Sequence, residues 1–209
     1  MEFLFQQKYN NIIPLGFFCS VASELRRIGL RDKAYPFDWL ITNFEDVLTC
    51  INNNFVDFLD LSNLEKCKND KTFYVKNNKF NQIYFLHDFK EGEPIESQIK
   101  AVKEKYDRRI SRLYSDMLEG ALFIRYVQNK YEWEYIRKNK RKIQVLLKQY
   151  NKKNKIIYIL NDDIKTSLHF SMKAYKVKKD EKDSVAREFL KKNPTLEKFI
   201  IKTKRKVNA

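Results

Sequence analysis

Apolar and polar residues follow two distinct periods along this chain, and each period predicts one type of secondary structure. Apolar positions that recur every three or four residues predict amphipathic helices. The predicted helices cover residues 19–28, 43–53, 95–119, 132–150 and 184–192. Gly29 and Gly120 follow the first and the third of these helices, and glycine commonly ends a helix at that position.

Short runs of aromatic and β-branched residues between the helices predict strands. The runs are NIIPLG at 11–16, KTFYVKNNKF at 71–80, NQIYFLHDF at 81–89, ALFIRYV at 121–127 and KIIYIL at 155–160. The second and third runs favour a hairpin or two neighbouring strands. Because strands alternate with helices, we expect an α/β fold with a mostly parallel central sheet flanked by helices. This is a Rossmann-like three-layer sandwich, formed by one domain over residues 1–209 with a basic C-terminal end.

The charge of the chain suits an anionic partner. It has 42 Lys and Arg residues against 27 Asp and Glu residues, a formal net charge of +15. One hypothesis is therefore a non-catalytic basic protein that binds an anionic polymer or a membrane surface. The strongest local excess lies at 173–206 and contains no specific nucleic-acid-binding motif, which favours a solvated basic face.

Cofactors and membrane anchors are not indicated by the sequence. We expect no cofactor and no metal, because the chain has neither a phosphate-binding glycine loop nor a cluster of metal ligands. Cys19, Cys50 and Cys67 lack paired CxxC spacing, so reduced thiols are expected. No apolar run is long enough to span a bilayer and no export signal is visible, so we expect a cytoplasmic protein without a transmembrane segment.

Cys19 stands where the first predicted strand turns into the first predicted helix. A helix N-terminus stabilises a thiolate, which is the nucleophilic form of cysteine. Gly16 permits a sharp turn and a close approach of substrate to the backbone. The backbone N–H groups around Phe18, Cys19 and Ser20 are candidates for an oxyanion hole. The alternative is an unreactive Cys19 packed in the core.

A cysteine nucleophile needs a base, and the chain has two histidines. His87 is the better candidate because it ends an apolar run, and sites of open α/β sheets assemble at strand ends. His169 is expected to be a surface or core residue. Asp88 is a candidate to orient His87 if the strand has already ended.

The segment AYPFDWL at 34–40 is expected to form a wall of the site, because Pro36 stiffens it and two aromatic residues anchor it. Trp39 is one of these anchors, and Asp38 is expected to turn towards the thiol and the histidine. Alternatively, Asp38 caps the following turn and the segment only supports the fold.

Arg125 lies inside an apolar run, where a guanidinium is costly unless it is paired. It is a candidate to bind a substrate anion or carboxylate at the strand end, and the alternative is a structural salt bridge. Arg108, Arg109 and Arg112 on the third helix are expected on its solvated face.

The segments PLGFFC, AYPFDWL, HDF and LFIR, in this order and spacing, resemble a family of uncharacterised proteins described as "putative papain-like cysteine peptidases". The resemblance covers about residues 11–127. It implies a catalytic Cys19 with His87, and Asp38 and Asp88 match its motifs. The expected reaction is hydrolysis or acyl transfer on an acyl, peptide or glycan substrate. Because the chain is basic, an anionic substrate is compatible with it.

A looser resemblance is to capsule-polysaccharide enzymes that carry Gly-Asn-Cys after their first strand and are thought to transfer acyl groups to glycans. This chain has Gly-Phe-Phe-Cys at the corresponding place. A glycan-modifying acyltransferase is therefore the second hypothesis, beside the peptidase and the non-catalytic binding protein.

Overall fold

The computed structural model describes residues 9–17, 19–27, 29–69, 72–161, 163–164 and 174–177. In chain order the elements are β1 (Asn11–Pro14), α1 (Ser20–Arg27), β2 (Leu40–Thr42), α2 (Phe44–Asn52), β3 (Leu64–Lys68), β4 (Phe73–Asn77), β5 (Ile83–Phe85), α3 (Ile95–Glu119), β6 (Ala121–Val127), α4 (Lys130–Lys148), β7 (Lys155–Asn161) and β8 (Ala174–Val177).

The first sheet is parallel and has the strand order β1-β6-β7-β8. Ile13 pairs with Phe123 across β1 and β6, and Ile124 pairs with Ile157 across β6 and β7. The prediction of an α/β fold with a parallel sheet is confirmed for these strands. Strand β8 was not predicted, because its short run AYKV is embedded in a lysine-rich stretch.

The second sheet is antiparallel, has the order β2-β5-β4-β3, and lies in the chain between β1 and β6. The predicted neighbours at 71–80 and 81–89 are present as β4 and β5, which pair antiparallel. Strands β2 and β3 were not predicted, because β2 has only three residues and β3, with the sequence LEKCK, carries mostly exposed polar side chains. The chain thus folds into a mixed α/β structure, and the Rossmann-like three-layer sandwich stays a prediction.

The helices begin and end close to their predicted bounds because local signals specify them. The side chain of Asn43 caps α2 by accepting a hydrogen bond from the Asp46 N–H, and Asn129 caps α4 by accepting one from the Glu132 N–H. Gly29 follows α1 with a φ of 73°, in the left-handed region that glycine adopts easily. The predicted helix at 184–192 lies outside the described residues.

Both faces of the parallel sheet are buried. Along β6, Phe123 and Val127 belong to a large apolar cluster that includes residues of α2, α3, α4 and the antiparallel sheet. Leu122 and Ile124 point to the opposite face and pack with Leu25 of α1 in a smaller cluster. A strand that is buried on both faces carries a continuous apolar run, which is the pattern of ALFIRYV except at Arg125.

None of the helices in the described ranges combines the length and the apolarity that a membrane span requires.

Candidate functional site

Cys19 lies at the start of α1, just beyond the carboxyl end of β1. Its carbonyl accepts a hydrogen bond from the Ser23 N–H at 2.9 Å, so the helical hydrogen-bond pattern starts at this residue. The first turn of α1 contains no acidic residue, and its last turn contains Arg26 and Arg27. The half-buried Cys19 side chain therefore stands at the positive end of the helix dipole, without a carboxylate in that turn to oppose a thiolate.

The turn before Cys19 has an unusual backbone. Gly16 has a φ of 76° and Phe17 a φ of 65°. A Cβ atom at position 16 would lie 2.5 Å from Thr42 Oγ1 and 3.3 Å from Arg125 Nη1, so only glycine fits there. A left-handed φ at phenylalanine is uncommon and indicates that the surrounding contacts hold the turn in place.

Arg125 supplies the contacts beneath this turn. Its side chain is fully buried, and its Nη1 donates to Leu15 O at 2.7 Å and to Thr42 Oγ1 at 3.2 Å. Its Nη2 donates to Thr42 O at 2.8 Å. Glu132 accepts the remaining bonds, from Nε at 2.7 Å and from Nη2 at 3.0 Å.

All five N–H donors of Arg125 are therefore used by protein groups. This corrects the prediction that Arg125 binds substrate, because a saturated and fully buried guanidinium offers no donor to a ligand. The structural salt bridge, which was the alternative interpretation, is the one observed.

Strand β2 connects the Cys19 turn with the His87 side chain. At one end of β2, the Thr42 N–H donates to Phe17 O at 3.2 Å. At the other end, Leu40 pairs with Phe85 of β5, and the ring of Trp39 lies edge to face with that of His87 at 6.3 Å between centroids. Strand β2 thus contacts Phe17, in the turn before Cys19, at one end, and at the other end it follows Trp39, whose ring contacts His87.

His87 is exposed, and Trp39 is half-buried beside it. The sequence predicted that His87 follows a strand, and His87 lies two residues after β5. That strand pairs antiparallel with β2 and β4, so His87 follows the antiparallel sheet and not the parallel sheet that contains β1.

Asp88 anchors the segment that carries His87. Its carboxylate accepts hydrogen bonds from Lys105 Nζ and, at 2.9 Å, from the Tyr106 hydroxyl, both on α3. The Asp88 side chain is only 3% exposed. These contacts favour a role in fixing the backbone next to His87 over direct contact with the imidazole.

Asp38 is fully buried in the turn before β2. Its Oδ2 accepts hydrogen bonds from Arg31 Nη2 and, at 2.7 Å, from the Tyr35 N–H, and Arg31 Nη1 also donates to Ala22 O in α1 at 2.8 Å. Burial raises the pKa of the Asp38 carboxyl to about 6, although Arg31, the Tyr35 N–H and two arginines of α3 oppose this shift. These contacts favour the interpretation of Asp38 as a structural residue that joins the AYPFDWL segment to α1.

Asp38→Asn is expected to change the pH dependence of stability and to leave that of Cys19 alkylation unchanged. A carboxyl that titrates near 6 when folded and near 4 when unfolded stabilises the fold fully below about pH 4, and this contribution is lost as the pH rises through 6. Urea unfolding of the variant should therefore lack a stabilisation on the order of 1–3 kcal/mol that the parent gains between pH 6.5 and 4. Asp32→Asn, at an exposed position two residues before that segment, is the control. A shifted alkylation profile would instead assign Asp38 to the reacting groups.

Two arginines of α3 that act on the Asp38 carboxyl were not predicted as buried groups. Arg109 and Arg112 were expected in solvent, but Arg109 Nη1 is buried and Arg112 Nη1 donates to Ala34 O at 2.7 Å. The signal was present, because Arg109 lies three residues after Tyr106 and four before Leu113, on the buried face of α3. Periodicity identifies the buried face, but a charged residue on that face is recognised only when its partners are known.

The remaining candidate residues are Ser20, which lies in α1, and Phe18 and His169, which lie outside the described part. Ser20 is buried in the first turn of α1, and its Oγ has no hydrogen-bond partner among the described residues. Phe18 is outside the described residues, as are His169 and the basic stretch after 177. Cys50 is buried in α2, where burial raises the pKa of its thiol, and Cys67 is half-buried in β3.

The chain is similar to known proteins over the region that contains this turn. A family model described as "Putative papain-like cysteine peptidase (DUF1796)" matches residues 10–139. "Uncharacterized protein R408" of Acanthamoeba polyphaga mimivirus is 29% identical over an alignment of 136 positions, and the match covers 54% of this chain. This chain spans 60% of the length of that curated relative. No solved structure is significantly similar to this chain.

Proposed function

Because the chain belongs to the family described as "putative papain-like cysteine peptidase", we propose that it is a cysteine-dependent hydrolase or acyltransferase. In this proposal Cys19 is the nucleophile and His87 is its general base. The observation that carries the proposal is the place of Cys19 at the N-terminal start of α1, after a turn that is held in a left-handed backbone conformation.

The N-terminus of α1 supports two parts of the reaction. The unpaired N–H groups of its first turn favour a thiolate at Cys19 over the neutral thiol. The same groups, with those of the residues just before the helix, are suited to donate hydrogen bonds to the oxyanion that forms on the substrate carbonyl. A cysteine at this place therefore needs only a base and an open face to act as a nucleophile.

The reaction proceeds through a thioester. His87 takes the proton of the Cys19 thiol, the sulfur bonds to the carbonyl carbon, and the C=O electron pair moves to the oxygen. As the intermediate collapses, the bond from carbon to the leaving nitrogen or oxygen breaks, and the leaving group takes the proton from His87. Water or an acceptor hydroxyl then attacks the thioester through His87, which returns a proton to the sulfur as the C–S bond breaks.

His87 and Trp39 are suited to the open side of this site. The imidazole is exposed and lies against the edge of the Trp39 ring, which limits its orientation without burying it. Trp39 offers an apolar surface for a substrate side chain or a sugar ring. Hydrolysis of a peptide and acyl transfer to a glycan hydroxyl differ only in the acceptor, and an adduct that persists until an acceptor is added would favour transfer.

Cys19 is expected to react with iodoacetamide at pH 7 about tenfold faster than Cys67, because only Cys19 lies at a helix N-terminus. Cys50 is expected to stay unmodified in the folded protein, since it is buried. Peptide mass spectrometry after timed quenching gives the three rates separately, and Cys19→Ala should remove the fast phase.

Equal and slow modification of Cys19 and Cys67 would contradict the proposal. Salt-sensitive binding to heparin or anionic vesicles, together with such slow modification, would favour the non-catalytic basic protein instead.

A further inference from the structure

We infer that Arg125 is a positioning residue for this reaction, because its guanidinium fixes the Cys19 turn to strand β2. The inference rests on the proposed role of Cys19. It assigns to Arg125 no contact with substrate. Arg125 acts instead on the position of the turn that carries Cys19.

The guanidinium joins two segments that are distant in the sequence. Nη1 donates both to Leu15 O, directly before the turn, and to the hydroxyl of Thr42, while Nη2 donates to the carbonyl of Thr42. The Thr42 N–H in turn donates to Phe17 O. The turn cannot shift along β2 without breaking several of these bonds together.

Only arginine can fill this position. One planar guanidinium donates to Leu15, to Thr42 and to both carboxylate oxygens of Glu132. A lysine ammonium has no fixed fork of donors and so cannot pair with both Glu132 oxygens while it bonds Leu15 and Thr42. The Cζ atom of the guanidinium also lies 5.3 Å from the ring centre of Phe44, at the start of α2. Arg125 thus connects β1, β2, α2 and α4 at the carboxyl end of β6.

The consequence for the reaction follows from the position of His87 at the other end of β2. Trp39, at that end, holds the imidazole by an edge contact, and β5 pairs along the same strand. A displacement of the turn relative to β2 would therefore move Cys19 relative to the strand pair that precedes His87. Displacements of about 1 Å between reacting groups change rates by roughly a hundredfold.

The test uses Thr42→Val, because Arg125 then loses one acceptor and keeps its bonds to Leu15 O, Thr42 O and Glu132. Thr42→Ser keeps the hydroxyl and is the conservative variant. Asn154→Ala is the matched control. Asn154 is also a buried polar residue that bridges elements, with bonds to Ala121 N, Met117 O and Leu147 O at the opposite end of β6.

The measurement is the rate of iodoacetamide modification of Cys19 between pH 5 and 9, with Cys67 of the same molecules as the internal reference. Thr42→Val is expected to slow the iodoacetamide modification of Cys19 by about three- to tenfold at pH 7 and to shift the pH profile of that rate. Thr42→Ser and Asn154→Ala are expected to keep the parent ratio of Cys19 to Cys67 rates, although Asn154→Ala lowers the melting temperature.

Two outcomes would overturn the inference. One is an unchanged Cys19 rate in Thr42→Val. The other is a loss of Cys19 reactivity in Asn154→Ala as well as in Thr42→Val, in proportion to the fall in melting temperature of each variant. That pattern would show that Arg125 has a purely structural role. A parent protein in which Cys19 reacts no faster than Cys67 would instead contradict the proposed function, so the two failures are distinguishable.

Discussion

Glu132→Ala is expected to lower the free energy of unfolding by about 3–5 kcal/mol, which is a large fraction of the roughly 5–15 kcal/mol that is typical of a folded domain. The change removes the carboxylate that neutralises Arg125 and leaves a fully buried guanidinium without its charge partner. Arg125 cannot reach solvent, because its other donors are bound to Leu15 and Thr42. Urea unfolding followed by circular dichroism measures the loss.

Glu134→Ala is the matched control for this prediction. Glu134 lies on the same helix and pairs with Arg137, but both side chains are about one third exposed. A surface pair of this kind contributes about 0–1 kcal/mol, so the control is expected to stay close to the parent. Similar losses in the two variants would show that the helix, and not the buried pair, determines the effect.

His87→Ala is expected to slow formation of the acyl-enzyme by about 10²- to 10⁴-fold, the usual contribution of a general base. Its effect on stability should be small, because the imidazole is exposed and loses only its edge contact with Trp39. The two readouts are the initial release of p-nitrophenol from p-nitrophenyl acetate and the melting temperature.

The control for His87 is the other histidine of the chain. His169→Ala is expected to keep the parent rate of p-nitrophenol release. If His87→Ala also keeps that rate, another group is the base. If both variants lose the rate equally, a histidine-independent change of the fold is responsible.

The order of local elements was accessible from the sequence. The turn from β1 into α1 was predicted because Gly16 and the apolar spacing after Cys19 are local signals. Strand β6, helix α3 and the caps of α2 and α4 were predictable for the same reason. Helices and caps depend on interactions within a few residues, and β6 is recognised by its continuous apolar run even though its hydrogen bonds come from β1 and β7.

Only two of the four strands of the second sheet could be predicted from the sequence. The neighbouring strands β4 and β5 have aromatic and β-branched runs, but β2 has only three residues and β3 has polar, exposed positions. A strand of that kind is stable only because a partner strand supplies its hydrogen bonds. The structure therefore decided that His87 follows an antiparallel strand.

The roles of buried charges were decided by tertiary structure alone. The sequence singled out Cys19, His87, Asp38, Asp88 and Arg125 as the residues to examine. It left two interpretations each for Asp38 and Arg125, because their functions depend on partners that are not local. Arg125 binds Leu15, which is 110 residues away, and Thr42, which is 83 residues away.

The sequence by itself determined the turn, the helix that starts at Cys19 and the apolar strand beneath them, since backbone propensity and periodicity are properties of neighbouring residues. Only the tertiary structure decided that Arg125 and Asp38 face inward to protein groups. The physical reason is that a charge is tolerated in a core only when donors and acceptors from distant segments meet it there. Contacts between such distant segments cannot be predicted from the spacing of residues along the chain.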